Sequence, residues 1–167
     1  MSQENADLWR ASIEDIRAGI NASAGEFDRE AMISKMAELW DPEIEWDVTE
    51  AQTLDASGVY RGKEGARQWW REWASAWETI RFEYELVDAG DRVVWLLDLR
   101  MRGRSTGIEV ARGKHAWMAT FNKGLIVRQK LYLSQSEALK AVGLEEQAMS
   151  QENPETGRSV EEYGPDL

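Results

Sequence analysis

Between about Lys63 and Trp77 the chain carries Trp69, Trp73 and Trp77 at i, i+4 and i+8, with Ala66 and Trp70 on the flank. A helix of 3.6 residues per turn gathers these positions on one side, so one face of the segment is made almost entirely of indole. Such a face has to be buried against something. Nine of the 167 residues are Trp, and a cluster of large rigid rings builds either a thick core or the wall of an aromatic cavity.

The remaining periodicity shows what surrounds this helix. Leu8, Trp9, Ile13, Ile16 and Ile20 recur at helical spacing from about Asn5 to Asn21, and Gly25 suits a turn into a second helix over Asp28 to Leu39. Asp41-Pro42 stops that helix, because the residue before proline resists the α conformation. Ile44, Trp46 and Val48 then alternate with Glu45, Asp47 and Thr49, the period of a half-buried strand with Trp46 pointing inward. Residues 50 to 58 read as a loop, and Val59 to Gly62 as a short strand or turn before the indole-faced helix. Four strand-like runs follow, Phe82 to Val87, Arg92 to Met101, Glu109 to Phe121 and Leu125 to Leu133, separated by glycine-containing turns that predict an antiparallel meander. A short helix, Ser136 to Val142, is ended by Gly143. Beyond Leu144 no periodicity remains, so the chain divides into a domain over 1–144 and an acidic, flexible tail over 145–167.

Helices first and a curling antiparallel sheet afterwards define an α+β layout. The long run from Glu109 to Phe121 has to bend if it is continuous, and a bent sheet with helices across its open side makes a cone with a cavity. A formal charge of −11 repels phosphate backbones and anionic membranes, so neither nucleic acid nor a membrane is expected as a partner. Much of that charge sits in the tail, where seven acidic residues face Arg158 alone. No run approaches the roughly 20 apolar residues that span a bilayer, and the start lacks the pattern of a signal peptide, which predicts a cytoplasmic protein. The chain has no cysteine, which removes disulfides, thiolate catalysis and thiolate metal sites. No Gly-rich phosphate loop, serine nucleophile elbow or metal-ligand spacing is present, so neither cofactor nor metal is expected.

Four motifs in order, Leu39 to Trp46, Tyr60 to Arg67, Gly90 to Val94 and Phe121 to Arg128 followed by Tyr132 and Ala138-Leu139, resemble the SnoaL-like branch of the nuclear transport factor 2-like superfamily. The resemblance covers about residues 5 to 144. It implies a cone of curved antiparallel sheet covered by about three N-terminal helices, with a short C-terminal helix and a homodimer formed through the outer face of the sheet. Members of that superfamily include steroid isomerases, polyketide cyclases, epoxide hydrolases and proteins with no known catalysis, so the fold leaves the function open. By motif position the steroid isomerase general base falls on Trp46, with Asp47 adjacent. The oxyanion tyrosine falls near Ala18 and the protonated aspartate near Trp117. The Arg and Asp pair of the epoxide hydrolases falls on Asp98 and Arg100 in reversed order, and their second aspartate on Leu131.

The chemistry of the residues themselves nominates a site. Asp98 and Arg100 share a strand face, inward by the family comparison, outward if the apolar alternation of Val93, Trp95, Leu97, Leu99 and Met101 marks the core side. His115 is the only histidine, and pairing through the Gly103 to Gly107 turn sets it opposite Asp98, a base and its orienter. Arg100 would bind an oxyanion and Tyr60 would polarise a carbonyl. Trp46, Trp69, Trp73, Trp117 and Leu131 are the candidate ligand-binding residues. Two readings stand side by side: a cone that binds a small apolar or aromatic molecule, with cofactor-independent acid/base chemistry of the cyclase, isomerase, dehydratase or hydratase type, and a non-catalytic binding or dimerisation module whose pocket the tryptophans fill.

Overall fold

The computed structural model describes residues 2–23, 26–50, 58–104 and 106–144. The predicted loop tip over 51–57 and the acidic tail over 145–167 lie outside the described residues. In chain order the elements are α1 (Ser2–Ala22), α2 (Arg29–Ala37), β1 (Trp40–Asp47), β2 (Val59–Arg61), α3 (Gly62–Ser75), β3 (Trp77–Ala89), β4 (Arg92–Gly103), β5 (Glu109–Asn122), β6 (Leu125–Tyr132) and α4 (Gln135–Ala141). The strands form one curved, unclosed sheet in the order β2-β1-β6-β5-β4-β3. The predicted antiparallel meander is present in β3 to β6, but the sheet as a whole is mixed, because β1 runs parallel to β6.

Two boundaries differ from the sequence reading for identifiable reasons. The indole-faced helix ends at Ser75, which makes Trp77 the first residue of β3 rather than the third rung of the stripe. Arg29 Nε donates to the carbonyl of Ala74 at 2.9 Å and its Nη2 to that of Trp77, while Arg104 Nε donates to Ser75 at 3.1 Å. Two arginines thus take up carbonyls at the helix C-terminus, where cations are favoured. Pro42, read as a helix stop, lies inside β1. The pairing jumps from Trp40↔Ile126 to Glu45↔Arg128 across it, so the proline occupies an irregular stretch where no ladder N–H is required.

Helices α1, α2 and α3 cover the inner face of the sheet. Trp95, Leu97, Leu99 and Met101 of β4 and Trp117, Ala119 and Phe121 of β5 join their buried residues in one core. Gly65 permits the close seating of α3 on β2, since a Cβ there would lie 3.2 Å from that of Tyr60. Tyr84 donates to Glu14, tying β3 to α1. Burial, and then Glu14, push its phenol up to about 12.

The outer face has its own cover. Val87, Val94, Leu96, Ala116 and Met118 form a second buried cluster with Ala138 and Leu139 of α4. Gln135 Nε2 reaches the carbonyls of Leu97 and His115, and Arg92 Nη1 donates to Ala141 at 3.0 Å, so both ends of α4 are tied down. The apolar residues on both faces of β4 are therefore buried within one chain. Leu139 is fully buried at the centre of this contact. Leu139→Ala is expected to lower unfolding stability by about 2–5 kcal/mol, measured by urea denaturation, and a change near zero would mean that α4 only rests on the sheet.

Candidate functional site

The sheet sorts its side chains by pairing register, and in β5 that register is interrupted twice. On the β4 side Leu99 pairs with Gly113 but Arg100 with Ala111, which leaves Arg112 as an extra residue. On the β6 side Thr120 pairs with Arg128 but Phe121 with Ile126, which leaves Val127 extra. Side chains alternate with a period of two, so each single-residue bulge exchanges the faces of everything beyond it.

The first bulge corrects the proposed Asp98 and His115 pair. His115 stands opposite Leu97, while Asp98 stands opposite Lys114. Had the register of the Gly103 to Gly107 turn continued without Arg112, His115 would face Leu96 on the outer side, the side of Asp98. The bulge turns His115 inward, next but one to Trp117, and separates it from Asp98 by the thickness of the sheet. Asp98 and the exposed Arg100 alternate with core residues Leu97, Leu99 and Met101, and so lie on the outer face with Val94 and Leu96. The inward orientation carried over from the epoxide hydrolases does not apply here.

The second bulge sorts β6. Gln129 pairs with Ala119 and Leu131 with Trp117, both core residues, so Gln129 and Leu131 face inward. Arg128 and Lys130 face outward. Arg128 donates from Nε to Glu45 at 2.9 Å and from Nη2 to Asp47 at 3.1 Å. Asp47, adjacent to the position onto which the steroid isomerase base falls, is thus part of an outer-face ion network. Its carboxylate also accepts from the backbone N–H and hydroxyl of Thr49 at 3.1 and 2.8 Å. Burial pushes the Asp47 carboxyl up, but the two Thr49 hydrogen bonds and the charges of Lys130 and Arg128 outweigh it and hold the group below the usual carboxylate range.

The interior is an indole cluster centred on Trp46, which is 0% exposed. Its ring centroid lies 5.3 Å from that of Trp40, 6.0 Å from Trp69, 5.9 Å from Trp70 and 5.1 Å from Trp117. Trp73 stacks on Trp69 at 6.4 Å with 11° between the planes and touches Trp77 at 6.3 Å. Trp73 and Trp77 are half-buried, so the cluster runs from the centre of the core to the surface. Tyr60 pairs with Trp46 across β1 and β2 and packs against the same core. Trp9 and Trp95 form a separate contact at 5.5 Å beneath α1. Of the nominated residues, then, Trp46, Trp69, Trp73, Trp117, Leu131, Tyr60 and His115 come together on the inner side, and Asp98 and Arg100 do not.

Polar atoms are stranded on the inner side of the sheet. The indole nitrogens Nε1 of Trp46 and Trp70, that of Trp95, and Oε1 of Gln129 are buried without a hydrogen-bond partner. Gln129, 3% exposed, escaped the sequence reading because a lone glutamine between Arg128 and Lys130 looks like a solvated strand face. The signal that could have found the first reversal is Gly113 inside an otherwise strand-like run, a mark of a bulge.

Sheet order and helix placement define a cone of the nuclear transport factor 2-like class. The model of the SnoaL-like domain matches residues 9–129, and the chain belongs to that family. Among solved structures it is similar to a nuclear transport factor 2-like protein of unknown function from Burkholderia pseudomallei, with a TM-score of 0.62, 15% identity and coverage of 84% of this chain and 98% of that one. It is similar also to TerC co-crystallised with polyporic acid, with a TM-score of 0.60, 17% identity and coverage of 83% and 98%. A third, described as a SnoaL-like polyketide cyclase from Mesorhizobium loti, matches with a TM-score of 0.52, 17% identity and coverage of 76% and 97%. Identities this low establish the fold alone. No protein with a curated description matches the chain in sequence. Among the described residues no helix is long and apolar enough to cross a membrane.

The Asp47 network makes a pH prediction. A carboxyl held below its ordinary value contributes stability that is present above about pH 3.9 and is lost as pH falls through the lowered folded-state value. Asp47→Asn is expected to cost about 1–2 kcal/mol at pH 7 and progressively less below about pH 4. Urea unfolding at pH 7, 4 and 3 reads this directly. A gap that stays constant over that range would remove ionised Asp47 from the account of β1 and β6.

Proposed function

We propose that the inner side of the cone binds a small, planar, apolar molecule against the indoles of Trp69, Trp73 and Trp117 and the side chain of Leu131. The observation that carries this reading is the set of buried, unpartnered indole N–H groups at Trp46 and Trp70. An aromatic core that only fills space has no use for donors left without acceptors, each at a cost of about 1–3 kcal/mol. Trp73 and Trp77 are half-buried, so the edge of the indole cluster reaches the surface. A neighbour of the same fold co-crystallised with polyporic acid supports the idea of an organic guest, and the lack of cysteine keeps a cytoplasmic location part of the reading.

Binding is better supported than acid/base turnover. The base and orienter nominated from the sequence lie on opposite faces, and Arg100 has no access to an oxyanion inside the cone. His115 and Tyr60 are the inward groups left for proton transfer or carbonyl polarisation. The homodimer expected from the resemblance draws no support from the apolar outer face, because α4 already covers it.

Titration with planar aromatic probes such as naphthalene derivatives, followed by Trp fluorescence, tests the reading. Saturable quenching is expected, weakened about tenfold or more by Trp69→Leu and unaffected by Asp98→Asn. If no probe perturbs the emission, the tryptophans are core alone and the binding reading falls. If Asp98→Asn weakens binding as strongly as Trp69→Leu, the site lies on the other face.

A further inference from the structure

Gln129 and Trp46 are direct partners across β6 and β1, and both face the interior. Each has a stranded atom of the complementary kind, an acceptor at Gln129 Oε1 and a donor at Trp46 Nε1. Being unpartnered, the two are not bonded to each other. A group between them would have to accept a hydrogen bond from the indole and donate one to the amide oxygen. A hydroxyl does both, whereas a carbonyl or ether oxygen serves only the indole, and a carboxylate repels the amide oxygen. Trp70, whose ring lies 5.9 Å from that of Trp46, adds a second unpartnered N–H on the α3 side.

The surroundings select for charge as well. Arg128 and Lys130, the two cations adjacent to Gln129 in sequence, are turned outward by the bulge at Val127, and Arg128 is held there by Glu45 and Asp47. The inward neighbours of Gln129 are Trp46, Ala119, Trp117 and Leu131. An anion placed there would lose its hydration and gain no compensation from Arg128 or Lys130, which is unfavourable in a low-dielectric interior. Ala119 opposite Gln129 is small, so the amide is flanked on the β5 side by a methyl group rather than another ring.

We propose that Gln129, with the indole N–H groups of Trp46 and Trp70, is the specificity-determining anchor of the cone and selects a neutral aromatic molecule bearing a hydroxyl group. This rests on the binding reading above and adds to it the class of ligand and the residue that recognises it. A leucine or methionine would pack there at no hydrogen-bonding cost.

The test uses three probes of one shape, 2-naphthol, 2-methylnaphthalene and 2-naphthoate, titrated calorimetrically at pH 7 into the full-length protein and into Gln129→Met and Trp46→Phe. The wild type is expected to bind 2-naphthol about tenfold more tightly than 2-methylnaphthalene and to reject 2-naphthoate. Both variants are expected to lose the preference for the hydroxyl while retaining 2-methylnaphthalene. Without ligand, Gln129→Met is expected to melt about 2–4 °C higher than the wild type, because a stranded acceptor has been replaced by an isosteric apolar chain. Equal binding of the two neutral probes by wild type and variants leaves the pocket standing and overturns the anchor. Failure of all three probes overturns the binding reading itself. A lower melting temperature for Gln129→Met, with the hydroxyl preference intact, assigns Gln129 to a structural water and overturns the proposal.

Discussion

The structure depends on how β5 meets its two neighbours. Alternation with a period of two makes a strand's sidedness absolute, and one extra residue reverses it. Here the strand pairs with β4 through a bulge at Arg112 and with β6 through a bulge at Val127. Without the first, His115 would sit on the outer sheet face. Without the second, Arg128 and Lys130 would face the tryptophans, and Gln129 and Leu131 would face solvent. Ion pairs reinforce the sorting, since Arg128 can reach both Glu45 and Asp47 only from the outer side. Local backbone irregularity and surface electrostatics therefore act together to keep Arg128 and Lys130 away from the inner surface of β6.

That sorting gives the interior an unusual character. It is apolar in area but contains hydrogen-bonding groups that satisfy nothing. Indole is a poor choice for pure filling when phenylalanine offers nearly as much buried surface without an N–H, and glutamine is a poorer one. Each stranded group costs about 1–3 kcal/mol, against a total stability for domains of this size of about 5–15 kcal/mol. A chain that tolerates several such groups around one residue, Trp46, is less stable than a repacked version of itself. Costs of this kind concentrate where function opposes stability.

The fold was legible because its determinants are local or sequential. Trp69, Trp70 and Trp73 announced a buried helix face, Gly90-Asp91 and Lys123-Gly124 marked turns, and the order of motifs carried the SnoaL-like resemblance that the family match establishes. The site was less legible because it depends on parity. A bulge is one residue in a strand of fourteen, and it leaves no mark on composition or average periodicity. Gly113 was its only local sign. The alternation of Asp98 with apolar neighbours fits either face, and the side of His115 could not follow from the turn alone once Arg112 intervened. Trp77 left the helical stripe for a different reason: Arg29 and Arg104 converge on the end of α3 from elsewhere in the chain, and such tertiary capping has no signature in the helix itself.

The outer face shows why burial on both sides of a strand is a weak guide to assembly. Val94, Leu96, Ala116 and Met118 need a cover, and α4, seven residues long, provides it from the same chain. Its position is fixed at one end by Gln135 on the carbonyls of Leu97 and His115, a cross-strand pair on the inner side of the first bulge. The helix that closes the outer face is thus anchored to the backbone of the residue whose side chain enters the inner one. Cover and interior are thus joined by two hydrogen bonds of one glutamine side chain to the backbone of Leu97 and His115.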